Sequence, residues 1–598
     1  MRLATQLRGP RRMFVYRNVC SVMRVLGVGV LIAVAGSGRS VAQGLNTEKQ
    51  ETETISGTVV NSVTHEPIGR ALVHSMGNEF AMLCDDRGHF EFKIPKPKNE
   101  GENANRSGGA FFNVDGDRYA LMGGATALLA QKLGFLRDQK AQEVGLANDA
   151  EHGLTIQLVP EALIIGRVSL ATTDGTDKLQ VELYRRTVQE GRASWQPAGS
   201  TLTRSNGEFR FADLAAGSYK IFTREEIDRD PLTFNPRGQL YGYPPVYYPT
   251  FNDFESSSVI RVTAGATVNV NLTPTRREYY PIKIGISNAP QGAGVQIEVW
   301  PQGHPGPGYS LGYNPDEESI VGMLPDGNYT IQISAYGPTM SSGQMNIGVK
   351  GGGVEGVTMS LVPNGSIEVN VKQEMAAPGI TSQENTYEVN GKPVSKSQAI
   401  LSSMQVNLVP VDELLRGEMG RFSQARNADG ETLVLDHMLP GRYRVQVSTQ
   451  TGYVAAVSSG GLDLLHNPLV VAPGGTSSPI EITLRDDGAT VEGTIENWRS
   501  ETQGRDTLLP GQQMACIYLV PMTETMAPSV LGWTGDGHFS LQQVPPGSYR
   551  AIAFSRQPGD LEFANEDAMK KYEAKSQVIE LEAGQKQELK LQLNVVSE

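Results

Sequence analysis

Residues able to do chemistry are present, but their spacing does not assemble a known site. A zinc site of the His-x-x-Glu kind needs a carboxylate three residues after a histidine, so that both ligands reach one ion. None of the eight histidines (His65, His74, His89, His152, His304, His437, His466 and His538) has Glu or Asp there. Gly308-Tyr309-Ser310-Leu311-Gly312 has the spacing of a nucleophile elbow, which also requires a strand before the serine and a helix after it. Pro305-Gly306-Pro307 leads in and Tyr313-Asn314-Pro315 follows, so Ser310 is read as a loop residue. Calcium takes six to eight oxygens. The turns at Asp86, Asn206, Asp429 and Asp536 each offer one or two acids, which suits a hairpin turn better. Asp316-Glu317-Glu318 and Arg485-Asp486-Asp487 likewise read as solvated turns. No catalytic residue, metal or cofactor is expected.

One binding candidate stands out. Tyr241, Tyr243, Tyr247, Tyr248 and Phe251 fall within eleven residues stiffened by Pro244, Pro245 and Pro249. They could form a platform on which sugar rings or a peptide stack. Alternatively, the loop packs its aromatics back onto its own domain, which is the favoured reading. Trp195, Trp300, Trp498 and Trp533 form no cluster in sequence.

The elements that would position these residues repeat. Leu214-Ala-Ala-Gly217-Ser-Tyr219 returns as Leu324-Pro-Asp-Gly327-Asn-Tyr329, Leu439-Pro-Gly441-Arg-Tyr443 and Val544-Pro-Pro-Gly547-Ser-Tyr549, with tyrosines 110, 114 and 106 residues apart. These Gly and Tyr residues are expected to be structural, a turn glycine and a packed corner tyrosine. An upstream turn and strand recurs at Asp86-Arg-Gly88-His-Phe90, Asn206-Gly207-Glu-Phe209 and Asp536-Gly537-His-Phe539, and in degenerate form at Asp429. Alternating strands open each unit (Ile165–Val168, Ile282–Ile284, Ile367–Val371, Val491–Ile495). Others close it, ending at Leu158, Leu272, Leu361, Leu484 and Leu593. Period-2 alternation with frequent turn signals predicts half-buried strands, hence an antiparallel β-sandwich per unit. Helix signal is sparse; Asn565–Tyr572 reads as a helix capped by Asn565. Ala125–Leu136 fits helix or strand, and 95–116 and 373–398 read as mobile insertions.

The first unit reads Ile55-Ser-Gly57-Thr-Val59, His65-Glu-Pro67-Ile-Gly69-Arg-Ala71-Leu-Val73 and Asp86-Arg-Gly88-His-Phe90. It resembles the carboxypeptidase regulatory-like domain, a transthyretin-like β-sandwich. Units two and five share the pattern, through Gly166-Arg-Val168 and Gly493-Thr-Ile495 with their Gly-x-Tyr loops, while three and four keep mainly the glycine-tyrosine loop and closing strand. The resemblance implies an accessory fold, found in tandem in large exported bacterial proteins, and no activity.

Residues 1–42 carry seven arginines and no acid, then the apolar run Val25–Ala35 and the small-residue site Ser40-Val-Ala42. This is the pattern of a secretory signal peptide. Its removal would take the formal net charge from −13 to −20. So acidic a chain repels phosphate backbones, which argues against nucleic acid as a partner. No later apolar run could span a bilayer. Cys84 and Cys516 lie too far apart to form a disulfide framework and read as buried thiols.

The expectation is therefore an all-β, tandem array of about five β-sandwiches: signal peptide 1–42, then 50–160, 161–275, 276–362, 363–488 and 489–598. Its role is expected to be non-enzymatic, in adhesion, scaffolding or ligand binding at the cell envelope, as a rod or arc in the periplasm, on the outer-membrane surface or secreted. A glycan or an envelope protein is the expected partner. The alternative is a carbohydrate-binding array using 241–251; an unrecognised hydrolase is the weakest reading.

Overall fold

The alternating opening and closing segments lie in strands, the third closing strand stopping at Ser360, one residue short of Leu361, while the turn at Asp429 lies outside the described residues. The computed structural model describes residues 52–596 apart from internal stretches, the longest being 96–110, 229–239, 376–386 and 499–513. The proposed signal peptide and most of the two insertions lie outside the described residues. Thr126–Gln131 is a strand, which settles the ambiguous segment. The helix at the C-terminal end is Glu566–Met569, continued by a 3-10 turn over Lys570–Lys575. Asn565 caps it by accepting from the N–H groups of Asp567 and Ala568.

Five hydrophobic cores follow one another along the chain, spanning 55–158, 162–272, 280–361, 367–484 and 489–593. They are called sandwiches one to five below. Antiparallel pairing dominates, but in every sandwich the first strand pairs in parallel with the strand that closes it; in sandwich five that closing strand also runs parallel to Gly547–Phe554 over two residues. The pairs are Thr52–Asn61 with Leu154–Leu158, Ala162–Val168 with Thr267–Leu272, and Arg277–Ser287 with Val354–Ser360. Ile367–Glu374 with Ile480–Arg485 and Ala489–Glu496 with Lys586–Asn594 complete the set.

The opening Gly-x-Val motif has a steric cause. In sandwich one the register sets Gly57 opposite Phe90, in two Gly166 opposite Phe209, and in five Gly493 opposite Phe539. A Cβ on these glycines would come within 2.6, 2.7 and 2.7 Å of the phenylalanine ring, and closer still to a carbonyl of the closing strand. Glycine and phenylalanine are thus one packing unit. Sandwiches three and four lack both and set Ile284 opposite Ile320 and Val369 opposite Leu433.

The glycine-tyrosine loop is a tyrosine corner. Each buried ring sends its hydroxyl back to the carbonyl four residues upstream: Tyr219 to Ala215 (2.7 Å), Tyr329 to Pro325 (3.0 Å), Tyr443 to Leu439 (2.9 Å) and Tyr549 to Pro545 (2.8 Å). In sandwiches three and four the returning ring also covers the glycine two residues before it. A Cβ on Gly327 would lie 2.9 Å from the Tyr329 hydroxyl, and one on Gly441 would lie 3.2 Å from the Tyr443 ring. In sandwich five the backbone itself asks for glycine, with Gly547 at φ 149°, as it does at Gly207 in the turn upstream of the sandwich-two corner, at φ 80°.

The linkers are pinned by a residue six before the corner tyrosine. Asp213, His437 and Gln543 all have positive φ (59, 56 and 57°). Asp213 and Gln543 fall at register shifts in their ladders. Asp213 accepts the N–H of Arg137 from sandwich one (3.0 Å) and donates its own to Glu161 (2.7 Å). Gln543 donates to the carbonyl of Asp486 in the linker before sandwich five (3.0 Å). The carbonyl of His437 accepts from Asn364 at the start of sandwich four (3.5 Å).

Gly493→Ala should cost sandwich five about 1–3 kcal/mol by overpacking. Amide exchange of the full chain should then rise in Ala489–Glu496 and Lys586–Asn594. Gly535→Ala, whose Cβ would meet nothing within 4 Å, should leave both strands unchanged.

Candidate functional site

The chemistry-bearing side chains that do converge lie on the outer sheet of sandwich two, where it meets sandwiches three, four and five. The sheet presents a long hairpin, Gln180–Gln189 and Arg192–Leu202, turned at Glu190-Gly191. Both turn residues have positive φ (47 and 71°), as a two-residue hairpin turn requires. A Cβ on Gly191 would run into the ring of Phe563 in sandwich five, and the Gly191 carbonyl accepts the N–H of Ala564 (3.0 Å). Beside the tip, Arg186 forks onto both oxygens of Glu562 at 2.8 and 2.9 Å. The Glu562 bond holds the Arg186 guanidinium above its ordinary pKa, against the opposing pull of burial. Arg444 of sandwich four, its side chain 5% exposed, donates to Glu190 at 3.0 Å. Sandwich two therefore touches four and five, which a rod of nearest-neighbour contacts does not allow.

Behind the hairpin, Trp195, Phe222, Tyr247 and Phe254 gather with Leu414 from a one-turn helix of sandwich four, Glu413–Arg416. Beside them lies a cavity of about 240 Å³ with Lys220 in its wall, Pro305 of sandwich three on one side and Asp412 and Glu413 on another. Lys220 is 5% exposed. Its ammonium donates to the carbonyls of Phe254 (2.6 Å) and Glu255 (3.0 Å) and sits 5.1 and 4.7 Å from the Trp195 and Phe254 ring centres. Burial lowers its pKa, and Glu413, Asp253 and Glu255 oppose that. Two backbone bonds and two ring faces make this lysine a pin for the 253–257 loop.

The aromatic segment 241–251 is not an open platform. Tyr243 is 3% and Tyr247 1% exposed. Tyr247 belongs to the aromatic cluster, and its hydroxyl donates to the carbonyl of Pro307 in sandwich three. Tyr248 packs against the core of sandwich two. The Arg276 guanidinium covers the Tyr241 ring at 4.1 Å. Phe251 alone is open to solvent, at 38%. The physical reason is that the segment crosses between sandwiches. Leu240–Tyr243 pairs with the first strand of sandwich three, Arg277–Ser287, and carries Glu226–Ile227 on its other edge. Val246–Tyr247 returns to sandwich two and pairs with Gly217–Thr223. A segment read from sequence as a loop within 161–275 thus forms a hairpin that extends the sheet of the next sandwich, and Asp228–Arg276 (2.7 Å) locks it there.

Ser310 lies in an exposed loop with a strand, Gly312–Asn314, after it, so no elbow forms. Its hydroxyl and N–H both donate to the same Glu225 oxygen, at 2.9 and 2.5 Å. The turn acids serve their own backbones: Asp85 accepts from the N–H groups of Arg87 and His89, and Asp536 from that of His538. Cys84 and Cys516 are buried free thiols, and burial pushes the latter up to about 12. Among the described residues, no three His, Cys, Asp or Glu side chains gather as for a metal ion, and no helix is long and apolar enough to cross a membrane.

No protein-family model and no curated protein matches the sequence. Solved structures give distant likenesses. The minor pilin of Streptococcus agalactiae is 15% identical over 37% of this chain and 95% of its own, with TM-score 0.18. A streptococcal ancillary pilin is 10% identical over 52% and 100%, with TM-score 0.16. The Bacillus anthracis TIE protein is 10% identical over 52% of this chain and 51% of that one, with TM-score 0.14. With scores this low, the β-sandwich assignment rests on the sheets and cores described above.

The Arg186–Glu562 pair should be coupled by about 1–3 kcal/mol, since removing one partner leaves a largely buried charge. A double-mutant cycle with Arg186→Ala and Glu562→Gln, read by amide exchange at 561–564, should return that coupling. The reversed pair Arg186→Glu with Glu562→Arg should restore part of the protection that either single change removes.

Proposed function

We propose that this chain is a non-catalytic, exported structural protein whose five sandwiches, each one domain, hold binding faces for an envelope protein at fixed separations. The observation that carries this reading is the docking of the sandwich-two hairpin onto sandwiches four and five. Together with the pinned linkers, it spends the strongest charged contacts on fixing domains relative to one another. A scaffold or adhesin needs such spacing, and a flexible tether would lack it. The basic, apolar segment 1–42 supports export to the periplasm, the outer-membrane surface or the medium. The Gly–Phe unit and tyrosine corner support kinship with carboxypeptidase regulatory-like domains. The 241–251 segment serves as a joint in this reading, with the sugar platform set aside because its central rings are buried.

Two measurements test it. Expressed with 1–42 intact, the chain should be recovered outside the inner membrane and shortened after Ala42; retention in the cytoplasm at full length overturns export. Tyr247→Ala should loosen the joint and lower thermal stability without touching ligand binding. Wild-type binding on a glycan array that Tyr247→Ala abolishes at unchanged stability would reinstate the carbohydrate reading.

A further inference from the structure

Glu225 stands where the elements joining sandwiches two and three meet. It follows the strand Gly217–Thr223 and precedes Glu226–Ile227, the start of the hairpin that sandwich three takes into its sheet. Its N–H donates to the carbonyl of Gly308 (3.1 Å), and its Oε1 accepts both the hydroxyl and the N–H of Ser310. The residue as a whole is half-buried, but Oε2 is sealed from solvent and has no hydrogen-bond partner. An unpaired carboxylate oxygen out of water disfavours the charged form.

The groups facing it come from every neighbouring element. Arg224 and Glu226 flank it in sequence, and Ser310 and Tyr309 belong to the opposing loop. Tyr279 and Arg277 lie on the first strand of sandwich three, and Tyr329 is its corner tyrosine. Burial pushes the three phenols above their ordinary range, so they stay neutral. That leaves the Glu225 carboxyl to change state near neutrality. Burial raises it from 4.5 to about 7 against the two Ser310 bonds and Arg224, which pull it down.

We propose that Glu225 is a proton-operated latch on the joint between sandwiches two and three, closed when its carboxyl is neutral and loosened when it ionises. A closed joint holds more protons than an open one between pH 4.5 and about 7. Closure is therefore strongest at the acid end of that window, weakens as pH rises through it, and is constant above. The linkage limits the effect to about tenfold per pH unit and a few hundredfold in all.

Amide exchange of the full chain at pH 5, 6, 7 and 8, corrected for intrinsic base catalysis, reads the joint in segments 222–228, 240–247 and 305–314. Opening of the wild type should increase tenfold or more from pH 5 to pH 8. Glu225→Gln, neutral at every pH, should stay as protected at pH 8 as the wild type is at pH 5. Ser310→Ala removes a donor that favours the ionised form, so its transition should shift to higher pH. Identical profiles for wild type and Glu225→Gln, or a flat wild-type profile, overturn the latch. Should Glu225→Gln fail to fold, an unshifted Ser310→Ala transition overturns it equally.

Discussion

The parallel ladder between the first and last strand of each sandwich is the constraint on which the rest of the molecule depends. Two antiparallel terminal strands would return the chain to the end where it entered. Parallel ones carry it through, so it arrives at one end of the sandwich and leaves at the other. Val168 and Leu272, for instance, are register partners at the far ends of their strands, and sandwich three begins at Arg277. Serial arrangement with linkers of a few residues follows directly. So does the demand for close packing along that ladder, which the glycine of the opening strand meets by making room for a phenylalanine.

Short linkers alone do not fix an angle between sandwiches. Here the angle is set by residues that are local in one sandwich and reach the next. Asp213 and Gln543 sit in bulges, where the extra residue turns a side chain out of the ladder and toward the linker. The joint between sandwiches two and three has a different construction, a hairpin lent by one sheet to the other. At this joint Glu225, Tyr279, Tyr309 and Tyr329 are buried together, because crossing strands trap side chains between two hydrophobic cores.

Much of this was legible in the sequence. Strand alternation, the Gly-x-Tyr loops and the Asn/Asp-Gly turns are local patterns, and local patterns set the strands, the corners and the sequence of cores. The favoured reading of Tyr241–Phe251 had its aromatics packing onto their own domain; the structure divides them between two sandwiches. Nothing in the residues marks that Leu240–Tyr243 finds its partner beyond Leu272, since a strand's neighbour is a tertiary choice. The hairpin contacts were invisible for a related reason. Arg186 and Glu562 are 376 residues apart, and an arginine in an alternating strand looks like any solvent-facing charge. Lys220, in an alternating strand, likewise looks like a solvent-facing charge, and the loop that covers Glu225 comes from sandwich three.

The hairpin tip of sandwich two has a mechanical meaning. Because it bonds directly to sandwich five, tension entering at sandwich two and leaving at five has a path that bypasses the whole of three and four. That path runs through the Arg186–Glu562 fork and the Gly191–Ala564 bond, contacts weaker than any of the cores. The molecule thus has a weak element in parallel with strong ones, arranged so that stretching is absorbed first by a contact that can re-form.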